Sequence, residues 1–558
     1  MFRQRVVSAL FLLVFCAVIV RLFQWQIVEG ESLAQEASNQ YYFKLTLPAT
    51  RGSIITSDEA YLSTNKTAFL VYAEPQKIYE KHDFSQKLAP LLNLDAQSLE
   101  SQLQNDYLVW YLLKHKVDGS IVNQLKELKL EGMGFEKENK RFYPEGSMSA
   151  HILGFVGSDA NGNDQGYFGL EGKYNLALKG KSGQIVQEKD AVGLPILLGE
   201  TKRYLAEDGQ TLVLHMDRTV QYILETKLKE GIQKYGAKSG MVGVLDSRSG
   251  GILGFASFPN YDPQKFGDYD KSLYANPLIS YTYEPGSTFK TLVMAAALNE
   301  RFVDQNTIFN ENGPVSIGEY LIRTWNNEYH GEMTATQILE KSSNPGMVFI
   351  GKKLGKDKLI SYIKKYGFYE KSGIDLEGEV LPQTRVEKDW YEIDLATVTF
   401  GQGIAVTPIQ MLRAVGSLAN NGNLLVPHVV KKIIDPSGKK IEIPPKISAS
   451  VIRPATANTI TQMMISAVNN GEAKWAKPKG YRIAGKTGTA QIPVSGHYDA
   501  DKTIASFVGY APADNPKFVM LVLLNEPTTS PWGSETAAPL FMNIAKELFV
   551  YYAIAPVN

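Results

Sequence analysis

The 558-residue sequence predicts an α+β fold in which an antiparallel sheet packs between helices. Three observations carry that expectation. The apolar runs "SGMVGVLD" and "ILGFAS" flank the turn "SRSGG" and read as a hairpin. From about residue 290 to 480 the periodicity is mostly helical, clearest in "TATQILEKS", "MVFIGKKLGKDKLISYIKKYG" and "TPIQMLRAVGSLANNG". Three strand-like runs, "YRIAGKTGTAQI", "TIASFVGYAP" and "KFVMLVLLNEP", then precede a closing helix, "TAAPLFMNIAKELFVYY".

Taken in order, the chain opens on "MFRQRVVSALFLLVFCAVIVRLFQWQIV". Arg3 and Arg5 precede an uncharged run from Val6 to Val20, which as a helix covers roughly 22 Å of a bilayer core of about 30 Å. Arg5 and Arg21 reach outward, and Leu22, Phe23, Trp25 and Ile27 extend the apolar character. No small-x-small cleavage signal follows, so residues 1–28 read as an uncleaved anchor. The basic residues come first, which places the N-terminus in the cytoplasm and the body outside.

Residues 29–205 are mixed and loop-rich, with turn signals at "ATRGS", "ANGNDQG" and "LKGKSG". The character changes at the 206–558 segment. Its first strand is "TLVLHMD" and its first amphipathic helix "RTVQYILETKLKEGIQKYG".

Composition excludes several functions. Fifty-eight basic residues balance 58 acidic ones, which removes the electrostatic case for nucleic-acid binding. The only cysteine is Cys16, so no intrachain disulfide forms. The seven histidines fall singly, and neither a metal nor a cofactor is expected.

The chemistry is written in "YEPGSTFKTLVMAAALNE", Tyr283–Glu300. Pro285 and Gly286 lead into Ser287, a natural helix starter, and Lys290 lies one turn on. If the apolar run is buried, the Lys290 ammonium is desolvated and becomes a base that activates Ser287 as nucleophile. Alone the pattern is weak, because Ser-x-x-Lys recurs at Ser361/Lys364 and Ser437/Lys440. "KSSNPGM" adds Ser342 and Asn344, which by themselves could simply cap a helix. "AGKTGTAQI" adds Lys486, Thr487, Gly488 and Thr489 on a strand, where the glycine lets a substrate backbone approach and an exposed edge accepts an extended peptide. In combination, S-x-x-K, S-x-N and K-T-G form the three-part signature of penicillin-interacting serine enzymes. No G-x-S-x-G element is present, and "GQGIAV" lacks the full dinucleotide fingerprint.

With these motifs the chain resembles the class B penicillin-binding proteins over nearly its whole length. "RGSII", "RFYPEG" and "GLEGKYNLALKGKSG" are similar to the family's non-catalytic pedestal; "GILGFASFPNYDP", "TFGQGIAVTPIQ" and "FVGYAPADNPKFVMLVLL" are similar to its transpeptidase domain. The resemblance implies a D,D-transpeptidase in peptidoglycan synthesis, inhibited by β-lactams. It implies Ser287 as nucleophile, Lys290 as base, Ser342 and Asn344 in the proton network, and Lys486, Thr487, Gly488 and Thr489 along the donor peptide. It also implies an oxyanion hole from the N–H groups of Ser287 and Thr489. The implied partners are a D-Ala-D-Ala donor stem peptide, an amine acceptor, a membrane glycosyltransferase and other envelope proteins in the inner membrane. Asn344 and the short pedestal resemble the division branch more than the elongation branch. An envelope scaffold and a hydrolase on the same site are the competing readings. Two departures stand out: "TSDEAYLSTN" replaces a usual turn, and Pro345 biases Asn344 away from helix.

Overall fold

The computed structural model describes residues 2–34, 42–105, 107–160, 162–190, 196, 201–383, 390–494 and 497–556. The chain forms two compact units, Met1–Arg51 with Lys179–Gly209, and Gly52–Leu178 with Gln210–Asn558.

In the first unit a helix runs Phe2–Phe23 and continues as a π-turn over Gln24–Val28. These 27 residues span about 40 Å, enough to cross an apolar layer of about 30 Å. None of them is buried against protein. Arg21 packs over Trp25 at 4.7 Å and bonds Gln24 at 2.7 Å, which keeps its charge at the helix end. The same unit holds a three-stranded antiparallel sheet of Tyr42–Leu47, Gly183–Glu188 and Thr201–Tyr204.

The second unit opens with a small α/β head. Its strand Tyr61–Ala73 pairs antiparallel with Tyr111–Asp118 and Met133–Phe142. Helices Lys81–Leu92, Ala96–Leu103 and Gly119–Glu127 contribute to a core around Val71, Leu88 and Leu125. Three of the quoted motifs meet in one buried contact. Arg141 pairs with Glu171 at 2.6 Å and donates to Gly52 O at 2.8 Å, while Ser63 donates to Glu171 at 3.0 Å.

Beyond Gln210 the elements that position the site are, in order, α1 (Arg218–Tyr235), β1 (Ser239–Asp246), β2 (Ile252–Phe258), α2 (Lys290–Asn299), α3 (Ala335–Glu340) and α4 (Asn344–Leu354). Then follow α5 (Pro408–Ala419), α6 (Pro454–Asn470), β3 (Ala484–Val494), β4 (His497–Ala511), β5 (Phe518–Asn525) and α7 (Ala537–Tyr551). The helix boundaries follow local chemistry. Asp217 accepts from two N–H groups at the start of α1, and Gly236 closes it at φ +61°. Thr407 with Gln410 makes a capping box on α5.

The five strands form one antiparallel sheet in the order β2-β1-β5-β4-β3. Both faces are covered. Met520, Val522 and Leu524 of β5 join a core with Leu224 and Leu228 of α1 and Leu540 and Phe541 of α7. The alternate residues Val519, Leu521 and Leu523 join the core of α2, α5 and α6. That is why "FVMLVLL" is apolar throughout rather than alternating. The strand β3 lies at the sheet edge.

Two expectations are corrected. The helix anticipated over "MVFIGKKLGKDKLISYIKKYG" is two helices, because Gly355 adopts φ +79° between α4 and Lys356–Lys365. The region from 290 to 480 also contains short antiparallel strand pairs, among them Ile308–Glu311 with Gly331–Thr334. Strands this brief leave no period-2 run to read.

Candidate active site

The chain from Pro285 to Lys290 is tighter than an α-helical start. Gly286–Phe289 is a single 3₁₀ turn, and α2 begins only at Lys290. Pro285 takes the cap position, so Ser287 is not the anticipated side-chain cap. In a 3₁₀ turn residues i and i+3 eclipse, which still stacks Ser287 and Lys290 in line. The turn is held from outside by the "GQG" segment. Gly286 (φ +55°) donates its N–H to Gly401 O at 2.9 Å. A Cβ on Gly401 would lie 2.1 Å from Gly286 O. Within the turn, Thr288 donates to Pro285 O at 2.6 Å. Ser287 itself is half-buried and lines a cleft of ≈ 500 Å³.

Lys290 is fully buried at the floor of this site. Its Nζ donates to Ser342 O at 2.5 Å, Ser342 Oγ at 3.2 Å and Asn344 Oδ1 at 2.8 Å. Burial, with the like charge of Lys486 next in weight, holds its pKa well below the ordinary lysine value. Among the described residues no hydrogen bond joins Lys290 to Ser287, so the nucleophile's proton has to be taken from within the same cleft without a preformed bond.

Ser342 occupies the turn between α3 and α4 in the left-handed region, φ +53°. Such a conformation is disfavoured for serine by about 1 kcal/mol or more, and here it aims both carbonyl and hydroxyl at Lys290. Asn344 begins α4, with Ser343 as its cap. The expected displacement by Pro345 does not occur. A proline in the first helical turn loses no hydrogen bond and suits a helix start, so Asn344 Nδ2 still reaches Arg323 O at 3.0 Å.

From β3, Lys486 Nζ reaches Ser342 Oγ at 3.0 Å, Thr487 O at 3.2 Å and Thr487 Oγ1 at 3.0 Å. Its pKa is lowered by burial. The hydroxyl of Ser342 therefore stands between two lysine nitrogens, and two neighbouring ammonium groups in a buried site discourage each other's protonation. Thr487 and Thr489 line the cleft with Ser287, Ser342 and Asn344, and Thr489 Oγ1 accepts from Gly533 N at 3.0 Å. Gly488 also meets the nucleophile's turn. A Cβ there would meet Ser506 Oγ at 2.4 Å, Thr288 Cγ2 at 2.9 Å and Pro285 O at 3.1 Å. The missing side chain admits the nucleophile's own turn against the strand.

All the sequence-predicted residues thus converge, from a turn before α2, a turn before α4 and an edge strand. Sequence reasoning passed over others that line the cleft: Arg323, Trp325, Gln402, Glu472 and Trp532. Trp325 and Trp532 meet edge to face at 4.8 Å. "GQG" was visible as a motif, but nothing in its spacing points to the turn it braces. Among the described residues no cluster of three or more metal-ligating side chains occurs.

Residues 240–546 match the family described as penicillin binding protein transpeptidase domain, and residues 46–214 match penicillin-binding protein dimerisation domain. The chain is 35% identical to stage V sporulation protein D of Bacillus subtilis over 98% of its length and 85% of that protein. It is 30% identical to a probable peptidoglycan D,D-transpeptidase PenA of Neisseria meningitidis, over 95% of this chain and 89% of the other. Among solved structures it superposes on penicillin-binding protein 3 of Mycobacterium tuberculosis complexed with aztreonam. The TM-score is 0.71 at 25% identity, covering 92% of this chain and 98% of that one.

Proposed function

The chain belongs to the class B penicillin-binding proteins, and we propose that it crosslinks peptidoglycan through an acyl-enzyme on Ser287. It is a serine-type D,D-transpeptidase of cell-wall synthesis and a β-lactam target. The observation that carries the residue assignment is the Ser342 hydroxyl held at 3.2 Å and 3.0 Å from the Lys290 and Lys486 nitrogens, in the cleft that Ser287 lines.

The donor stem peptide lies as an added strand along the free edge of β3, its terminal carboxylate against Lys486, Thr487 and Thr489. Ser287 Oγ attacks the carbonyl of the penultimate D-Ala, and neutral Lys290 takes the hydroxyl proton. Ser342 and Asn344 fix the amine, and the proton passes from Lys290 through the Ser342 hydroxyl to the leaving D-Ala nitrogen. The N–H groups of Ser287 and Thr489 stabilise the oxyanion. The amine of a second stem peptide then displaces Ser287 and forms the crosslink. A β-lactam acylates the same hydroxyl and stays, because its leaving group remains tethered.

Arg3 and Arg5 ahead of the anchor orient the N-terminus to the cytoplasm, with the pedestal (29–205) and transpeptidase domain (206–558) outside the inner membrane. A membrane glycosyltransferase and other division proteins are the partners of such an arrangement. Asn344 and the short pedestal, together with a relative named for sporulation, support action at a division septum, for which a tagged chain concentrates at midcell; uniform sidewall signal would refute that assignment. Fluorescent penicillin labels the wild type and not Ser287→Ala. Label retained by that variant overturns the nucleophile assignment.

A further inference from the structure

Glu472 lies in the turn after α6, outside the three motifs. Its carboxylate borders both the cleft and a small cavity behind β3 that Lys486 and Thr487 also line. Its Oε2 accepts from Thr487 Oγ1 at 3.4 Å. Its Oε1 is buried with no hydrogen-bond partner among the described residues. An unpaired buried carboxylate oxygen is costly to keep, so a charge nearby must compensate it.

That charge lies along a continuous chain of contacts. Lys290 Nζ, Ser342 Oγ, Lys486 Nζ, Thr487 Oγ1 and Glu472 Oε2 are joined by contacts of 3.2, 3.0, 3.0 and 3.4 Å. Glu472 stands one hydroxyl away from Lys486 and three groups away from Lys290. Two buried lysines and one carboxylate hold one net positive charge when all are ionised. The acid stabilises the nearer ammonium more than the farther one, because Coulomb attraction falls with distance.

We propose that Glu472 is the counter-ion of the lysine pair: it keeps the proton on Lys486 and leaves the Lys290 amine free to act as base. It is a positioning residue, since it acts through Thr487 and Lys486. The inference rests on the assignment of Lys290 as base and Lys486 as carboxylate anchor. The other charged groups facing the pair do not serve the same end. Glu311, from the strand Ile308–Glu311, is bonded to Ser343. Glu340, at the end of α3, is bonded to Ser466 and Asn470. Arg323 stands at the cleft wall and adds positive charge.

The test is the pH profile of penicillin acylation by the full chain in detergent micelles. Glu472→Gln preserves a hydrogen-bond acceptor for Thr487 and removes the charge, so Lys486 loses its proton at lower pH. The ratio of the acylation rate constant at pH 9.5 to that at pH 7 should fall about tenfold, the effect of a one-unit shift on that limb. Glu472→Asp keeps the charge and should restore the wild-type ratio. Rates are scaled to the amount labelled at saturation, so misfolded protein does not enter. An unchanged ratio in Glu472→Gln, or the same fall in both variants, overturns the proposal. Loss of label in Ser287→Ala alongside an unchanged Glu472→Gln ratio would sink this inference alone. Retained label in Ser287→Ala would sink the active-site assignment beneath it.

Discussion

At the scale of single residues, the decisive fact is a lysine with no solvent-exposed surface. Lys290 shares its first hydroxyl partner, Ser342, with a second buried lysine. Desolvation and mutual repulsion both favour the neutral amine, which is the form that removes a proton. Arginine cannot take that form, since its guanidinium stays charged throughout the accessible pH range. Lys290→Arg should therefore reduce the acylation rate by at least about 100-fold, the usual worth of a positioned general base. Stopped-flow acylation measures it, and a loss smaller than about fivefold would make the lysine structural. Ser287, Lys290 and Lys486 were legible in the sequence because side-chain identity and local spacing define them. Glu472 and Trp532 were not, because each reaches the cleft from a loop whose position is set by distant packing.

At the scale of elements, the site depends on how closely β3 approaches the turn before α2. Gly488 faces the side chains of Ser506 and Thr288 and the backbone carbonyl of Pro285, so a Cβ there would press on the nucleophile's turn. Gly488→Ala should cost about 1–3 kcal/mol through overpacking and slow acylation by shifting the turn. Adding Ser506→Ala removes the nearest clash, the Oγ at 2.4 Å, and should recover part of the stability in denaturant melts. No recovery in the double variant would mean that the backbone contact alone sets the cost. The glycine was visible as part of K-T-G, yet its reason was not. Strand periodicity tells which residues share a face but not what that face touches.

At the scale of the whole molecule, packing also buries polar groups that do not line the cleft. His151 is 5% exposed and packs edge-on against Tyr261 at 5.5 Å and Phe255 at 6.4 Å. Burial pulls its pKa from 6.5 down to about 4. In the unfolded chain it protonates near 6.5, so between pH 6.5 and 4 the unfolded state binds more protons. Stability therefore falls as pH is lowered through that window, by up to about 3 kcal/mol from this residue. The stability difference between wild type and His151→Gln should shrink by about that amount between pH 7 and pH 4. A difference independent of pH in equilibrium denaturation would show that His151 takes up its proton equally in both states.

The sequence by itself determined the fold class, the apolar anchor and the order S-x-x-K, S-x-N, K-T-G, because these rest on local pattern and on side-chain chemistry. Only the tertiary structure decided that Ser287 sits in a 3₁₀ turn braced by Gly401, that Pro345 leaves Asn344 in place, and that Ser342 stands between two lysines. Those facts join residues 52 and 144 positions apart. Such separations are closed by burying both faces of a five-stranded sheet, and no local spacing encodes a distance made that way.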